Sequence, residues 1–157
     1  MKHNPTVNDA RHHFWGIFHR ASDLTERYMD AVLIKEVGVT YQQFLVMMAI
    51  DTIGNKATVG DIAERLDRTQ NTISVLLERM KRDGLIRKAR NMTDRRMVRV
   101  AVTDKGKEKL METFGIGAKI FDDLLQPLSE EDISTLITLL GKVEQFATEK
   151  FMALKIA

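Results

Sequence analysis

Between Arg65 and Arg99 stand eleven lysines and arginines against four acids, a local charge of +7 in a 157-residue chain whose net charge is +2. The remainder therefore carries −5. Guanidinium and ammonium groups crowded into one stretch bind the oxygens of a polyanion, and a basic module on a slightly acidic body concentrates that field on one face. Arg68, Arg79 and Arg90 belong to this set. Close to them lie Thr69, Gln70, Asn71, Thr72 and Ser74, a different kind of chemistry. Glutamine and asparagine amides can pair bidentately with adenine, and a threonine methyl can meet that of thymine. The plainer use of Thr69 to Thr72 is to cap and start a helix, and Thr69 fits the cap.

Other chemistries lack their parts. There is no cysteine, which excludes disulfides, thiolate zinc sites and thiol redox switches. No HExxH, phosphate-binding glycine loop or GxSxG occurs, and Gly115-Ile116-Gly117 lacks the third glycine and the preceding strand of a dinucleotide fingerprint. No enzyme and no cofactor is expected. His12, His19 and Asp23 share one helical face at spacings that can ligate a metal, but such clusters are more often solvated, and no metal is assigned. No apolar run of about 18 residues is present and MKHNPTVNDARHH lacks a secretory core, so the expected address is the cytoplasm, with no membrane partner.

The elements that must position these groups can be traced along the chain. From about Asp9 to Lys35 apolar residues recur at helical spacing, with Gly38 where that helix should end. Thr40 with Gln43, Thr58 with Asp61, and Ser129 with Asp132 are capping-box pairs. They open a buried helix closing near Gly54, a short helix, and a last helix after Pro127. The helix from Thr69 turns Ile73, Leu76, Leu77 and Met80 inward and stops at Asp83-Gly84. Leu85 to Lys88 and Val98 to Val102 alternate at period two around a polar hairpin loop, Arg90 to Arg96. A fifth helix, capped by Thr103 or Asp104, reaches about Gln126. The pattern predicts a mainly α fold of six helices with a small β wing. Residues 39–103 form a winged helix-turn-helix region, and residues 1–38 and 104–157 a helical dimerisation region.

The stretch GLIRKARNMTDRRMVRVAVTDKG, from Gly84 to Gly106, resembles the wing of the multiple-antibiotic-resistance (MarR) family of winged helix-turn-helix regulators. The matching positions are Gly84-Leu85-Ile86, Asp94-Arg95-Arg96, Val100-Ala101-Val102-Thr103 and Lys105-Gly106, without a gap, and the order of helices agrees along essentially the whole chain. The resemblance implies a sequence-specific regulator of transcription bound to double-stranded DNA, a ligand-responsive repressor or occasionally an activator; the basic module, taken with the homodimer that the apolar stripes imply, points to a pseudo-palindromic operator. The resemblance gives Asp94 the role of holding Arg96 and fixing the wing. An arginine at a hairpin tip can enter the negative minor groove, which points to Arg95. The chain departs from the family at Val75, where a polar residue is common, and at Arg68, where an apolar one is common.

The long apolar stripes of the first and last helices exceed what the basic module can cover, so they are expected to meet their copies in a second subunit rather than close a monomeric core. The resemblance also implies a small aromatic effector, for which Trp15, Phe18, Phe44, Met47, Met48 and Phe114 are the expected lining, although each taken singly also fits a core position. Gly115 and Gly117 weaken their helix by about 1 kcal/mol each relative to alanine. They serve either close helix packing or a bend. The alternative function is a winged-helix module that binds protein without specific DNA recognition.

Overall fold

The computed structural model describes residues 10–54, 56–90 and 98–156. Among them are six helices and one two-stranded sheet: α1 Ala10–Glu36, α2 Tyr41–Ile53, α3 Val59–Arg65, α4 Gln70–Arg82, β1 Ile86–Arg90, β2 Val98–Val102, α5 Asp104–Leu125 and α6 Glu130–Ile156. Contacts divide the chain within α5, into residues 1–118 and 119–157.

In the first unit the helix ends are set by local hydrogen bonding. Gly38, at φ +80°, lets α1 close with its N–H on the Leu33 carbonyl at 2.9 Å. The Thr40–Gln43 box then opens α2. Gln43 is buried: its Oε1 accepts from the Thr40 N–H at 2.9 Å, and its Nε2 donates to Asp83 Oδ2 at 3.1 Å, linking the start of α2 to the end of α4. The Thr58–Asp61 box opens α3. A Schellman turn ends it, with Arg68 N–H on the Ala63 carbonyl at 2.9 Å and Asp67 in the left-handed region at φ +48°. Gly84 (φ +74°) ends α4 in the same way, the Leu85 N–H bonding the Met80 carbonyl at 2.9 Å.

That last bond moves the start of the first wing strand. Leu85 is spent on closing α4, so β1 runs from Ile86 and continues through Arg90, a residue assigned to the loop from sequence. The ladder is antiparallel, from Ile86 opposite Val102 to Arg90 opposite Val98. Its outer edge is covered by the segment before α3, where the Val100 N–H bonds the Ala57 carbonyl at 2.8 Å. Val46, Met47 and Ile50 of α2, Ile62 of α3, Ile73, Leu77 and Met80 of α4, and Val100 of β2 are all buried. These residues are the core of the module.

In the second unit Pro127 and Leu128 turn the chain, and Ser129 caps α6 by accepting from the Asp132 N–H at 3.1 Å. Ser129 in turn holds the Asp132 carboxyl below its ordinary pKa. None of the α6 side chains described is buried. No helix among the described residues is long and apolar enough to cross a membrane.

Candidate nucleic-acid interface

The face of α4 opposite its buried residues is the centre of the site. Thr69 caps the helix, accepting from the Thr72 N–H at 3.2 Å, and its hydroxyl lies 2.8 Å from that of Thr72. Thr69 is thus occupied by the helix it starts. Gln70, Asn71, Thr72 and Arg79 are exposed and Ser74 is half-buried. The Gln70 amide nitrogen stands 3.6 Å from the position a Cβ would take on Gly60, so this side chain lies over α3. Arg79, Lys81 and Arg82 occupy the last turn, where cations meet the negative end of the helix dipole. Arg68 is exposed on the turn before α4.

One residue of the outward face is acidic. Glu78 is exposed, and an unpaired carboxylate there would oppose a polyanion. Lys88, reaching from β1, places its Nζ 2.8 Å from Glu78 Oε1. The hydrogen bond from Lys88, then its charge, hold the Glu78 carboxyl below its ordinary value of 4.5. The pair ties the wing strand to α4 across ten positions of sequence and offsets the acid. Neither partner stood out from sequence, because no periodicity connects them.

The wing is fixed at its base by the residues that carry the family resemblance. The Thr103 hydroxyl donates to the Gly84 carbonyl at 2.6 Å, lies 3.1 Å from that of Leu85, and accepts from the Gly106 N–H at 3.1 Å. Lys105 Nζ donates to the Asp83 carbonyl at 2.8 Å. A Cβ on Gly106 would come within 2.2 Å of the Leu85 carbonyl oxygen and 2.6 Å of Val102 Cγ1, so only glycine fits. Gly84, Leu85, Thr103, Lys105 and Gly106 thus form a clamp between the end of α4, both strands and the start of α5. Asp94, Arg95 and Arg96 lie outside the described residues, as does the side chain of Arg90.

The six residues expected to line an effector pocket are distributed among different surroundings. Trp15 and Phe18 stack on each other along α1 with centroids 5.9 Å apart, Phe44 meets Phe114 edge to face at 5.3 Å, Met47 is fully buried in the core and Met48 is half-buried. A cleft of about 340 Å³ opens elsewhere, among α1, α2 and the start of α4, with Met29, Tyr41, Leu45, Arg68, Thr72 and Leu76 in its wall. None of the six lines it. Sequence periodicity marks which residues face inward, but a concavity depends on how three helices diverge. Asp23 pairs with Arg27 at 3.3 Å, His19 packs edge-on against Trp15 at 4.7 Å, and no group of three or more metal-binding side chains occurs among the described residues. A Cβ on Gly115 or Gly117 would meet nothing within 4 Å among the described residues, so close packing there does not account for either glycine.

Comparison with known proteins places the same residues in a wider setting. The sequence profile of the MarR family matches residues 37–97, from the end of α1 to the wing. The transcriptional regulator MgrA of Staphylococcus aureus is 31% identical over 128 residues, covering 80% of this chain and 83% of that protein. The transcriptional repressor MdtR of Bacillus subtilis is 27% identical over 114 residues, 73% of each. Among solved structures, the MepR–DNA complex from S. aureus superposes with a TM-score of 0.73 at 25% identity, over 85% of this chain and 97% of that one. The organohalide-sensing regulator RdhR in its 2,4-dichlorophenol-bound form gives a TM-score of 0.81 at 20% identity, over 88% and 81%.

Proposed function

This chain belongs to the MarR family of DNA-binding transcriptional regulators, and from that premise we propose that it is a ligand-responsive repressor acting as a homodimer on a pseudo-palindromic operator. The observation that carries the DNA reading is the outward face of α4, where Asn71, Thr72 and Arg79 stand exposed beside a wing base hydrogen-bonded through Thr103. In this reading Gln70, Asn71, Thr72 and Ser74 meet base edges in the major groove, while Arg68, Arg79 and Arg90 hold phosphates. Arg95 enters the minor groove, with Arg96 steadied by Asp94.

The dimer is supported by apolar surface that the chain leaves uncovered. Phe14, Ile17 and Leu24 of α1 are exposed, and so, separately, are Ile137, Val143 and Phe146 of α6. Such stripes are costly in water and are ordinarily buried against a second subunit. A two-fold pair of such modules reads half-sites about one helical turn, roughly 34 Å, apart. The effector reading is supported by the cleft beside Arg68 and Thr72, since a ligand there would touch the elements that meet DNA. RdhR, solved with a chlorinated phenol, makes a small aromatic acid or phenol the first class to try.

The test is selection of bound duplexes from a random pool, followed by titration at several salt concentrations with and without phenolic ligands. A two-fold symmetric consensus and an affinity falling steeply with salt are expected. Arg95→Ala should weaken binding and flatten the salt slope; unchanged values would remove the wing from the reading. Absence of any salt-dependent DNA binding would favour a protein-binding module instead.

A further inference from the structure

We propose that Val75 is a specificity-determining residue that reads the C5-methyl group of a thymine in each half-site; this rests on the DNA-binding reading above. Val75 is 67% exposed although it sits in the middle of α4. The buried residues Ile73 and Leu77 lie two positions to either side, about 200° around the helix at 3.6 residues per turn, so Val75 projects from the opposite face. One turn before it is Asn71 and one turn after it is Arg79, both exposed. The apolar side chain therefore stands at the centre of the polar surface that faces DNA.

With two-thirds of its surface exposed, Val75 is not accounted for by packing among the described residues. A β-branched residue is a poorer helix former than the alanine, glutamine or arginine that an exposed position admits, and it presents an isopropyl group to water. What such a group can meet in a major groove is the thymine methyl, the one apolar feature among the base edges there. The neighbouring chemistry agrees. Asn71 is suited to adenine, whose pairing partner is thymine. Four helical residues advance about 6 Å along the axis and a base pair rises about 3.4 Å, so Val75 falls one or two steps from the pair that Asn71 contacts. A polar residue at this position would favour a hydrogen-bonding edge; valine selects a methyl.

The experiment replaces each thymine of a selected duplex by deoxyuridine, which deletes only the C5-methyl, and measures the affinity of the wild type and of Val75→Ser. At one thymine per half-site the wild type should bind about fourfold more weakly for each half-site altered, the value of one buried methyl group, whereas Val75→Ser should not distinguish the two duplexes. Thermal melting of Val75→Ser close to wild type confirms the fold, as expected for an exposed position. If no thymine is sensitive in the wild type, or if Val75→Ser keeps the sensitivity in full, the assignment fails while the DNA-binding reading stands. If the wild type binds no duplex at all, that reading fails and the assignment with it.

Discussion

The apolar residues of α4 and those of α6 recur at the same helical spacing and meet opposite fates. In α4, Ile73, Leu77 and Met80 are buried within their own unit, whereas in α6 Ile137, Val143 and Phe146 remain exposed. Periodicity therefore reports that a helix has an apolar side without reporting where the surface that covers it comes from. The α4 stripe is completed by α2, α3 and the wing, all within about 60 residues of sequence. The α6 stripe has no such cover among the described residues, and the proposed dimer supplies it from a second copy of the chain.

The sharpest way to break this comparison is to damage both stripes. Leu77→Ala should cost about 2–5 kcal/mol, a loss visible in denaturant at every protein concentration. Ile137→Asp should leave the fold of the chain intact but convert a dimer to a monomer in sedimentation. If Ile137→Asp sediments as the wild type does, the exposed stripe is not the interface. Smaller in effect, but opposite in sign along one helix, are two glycine replacements. Gly106→Ala forces a methyl onto the Leu85 carbonyl and should destabilise by about 3 kcal/mol. Gly115→Ala gains helix propensity in open space and should stabilise by up to about 1 kcal/mol. A loss of stability in Gly115→Ala would mean that something other than the described residues packs there.

Thr103→Val keeps the shape of the clamp and removes its hydroxyl, leaving the Gly84 carbonyl and the Gly106 N–H each short of a partner. A loss of about 1–3 kcal/mol in urea unfolding is expected, with weakened DNA binding. Least affected should be Lys88→Met. Because Lys88 lowers the Glu78 pKa, the stabilisation from this pair is present above the ordinary value of 4.5 and is lost as pH falls through the lower folded value. The variant should lose that part of the acid-side slope in melting measured below about pH 4.5. An unchanged slope would mean that the exposed pair contributes nothing measurable.

Features set by a few consecutive residues were readable from sequence. The three capping boxes, the glycines that end α1 and α4, and both wing strands follow from side-chain chemistry acting over a single turn. β1 begins one residue later than the period-two alternation predicts, because the Leu85 N–H closes the end of α4. Longer-range links were not legible. The Thr40–Gln43 spacing predicts the cap, but the second bond of Gln43, to Asp83 forty residues away, has no local trace. The same holds for Lys88 with Glu78 and for the collision that fixes Gly106 as glycine. In the site itself, Thr69 caps α4 as its type and position predict, and Asn71, Thr72 and Arg79 are exposed. Of the six residues expected to line an effector site, Met47 fills the core while Trp15 and Phe114 stand exposed on their helices, a difference that helical periodicity does not register.

The clamp at Thr103 also has a mechanical meaning. From Ile86 opposite Val102 to Arg90 opposite Val98 the wing is an unbroken ladder, and everything at its base is hydrogen-bonded or sterically locked. The ladder is also pinned part-way along, by the Val100 N–H on the Ala57 carbonyl and by Lys88 on Glu78, so it is a beam built in along its length rather than one hinged at Thr103. A load on the outer Arg90–Val98 pair is therefore carried into the segment before α3 and into α4 as well as into α5, and the described part of the wing moves with those elements as one piece.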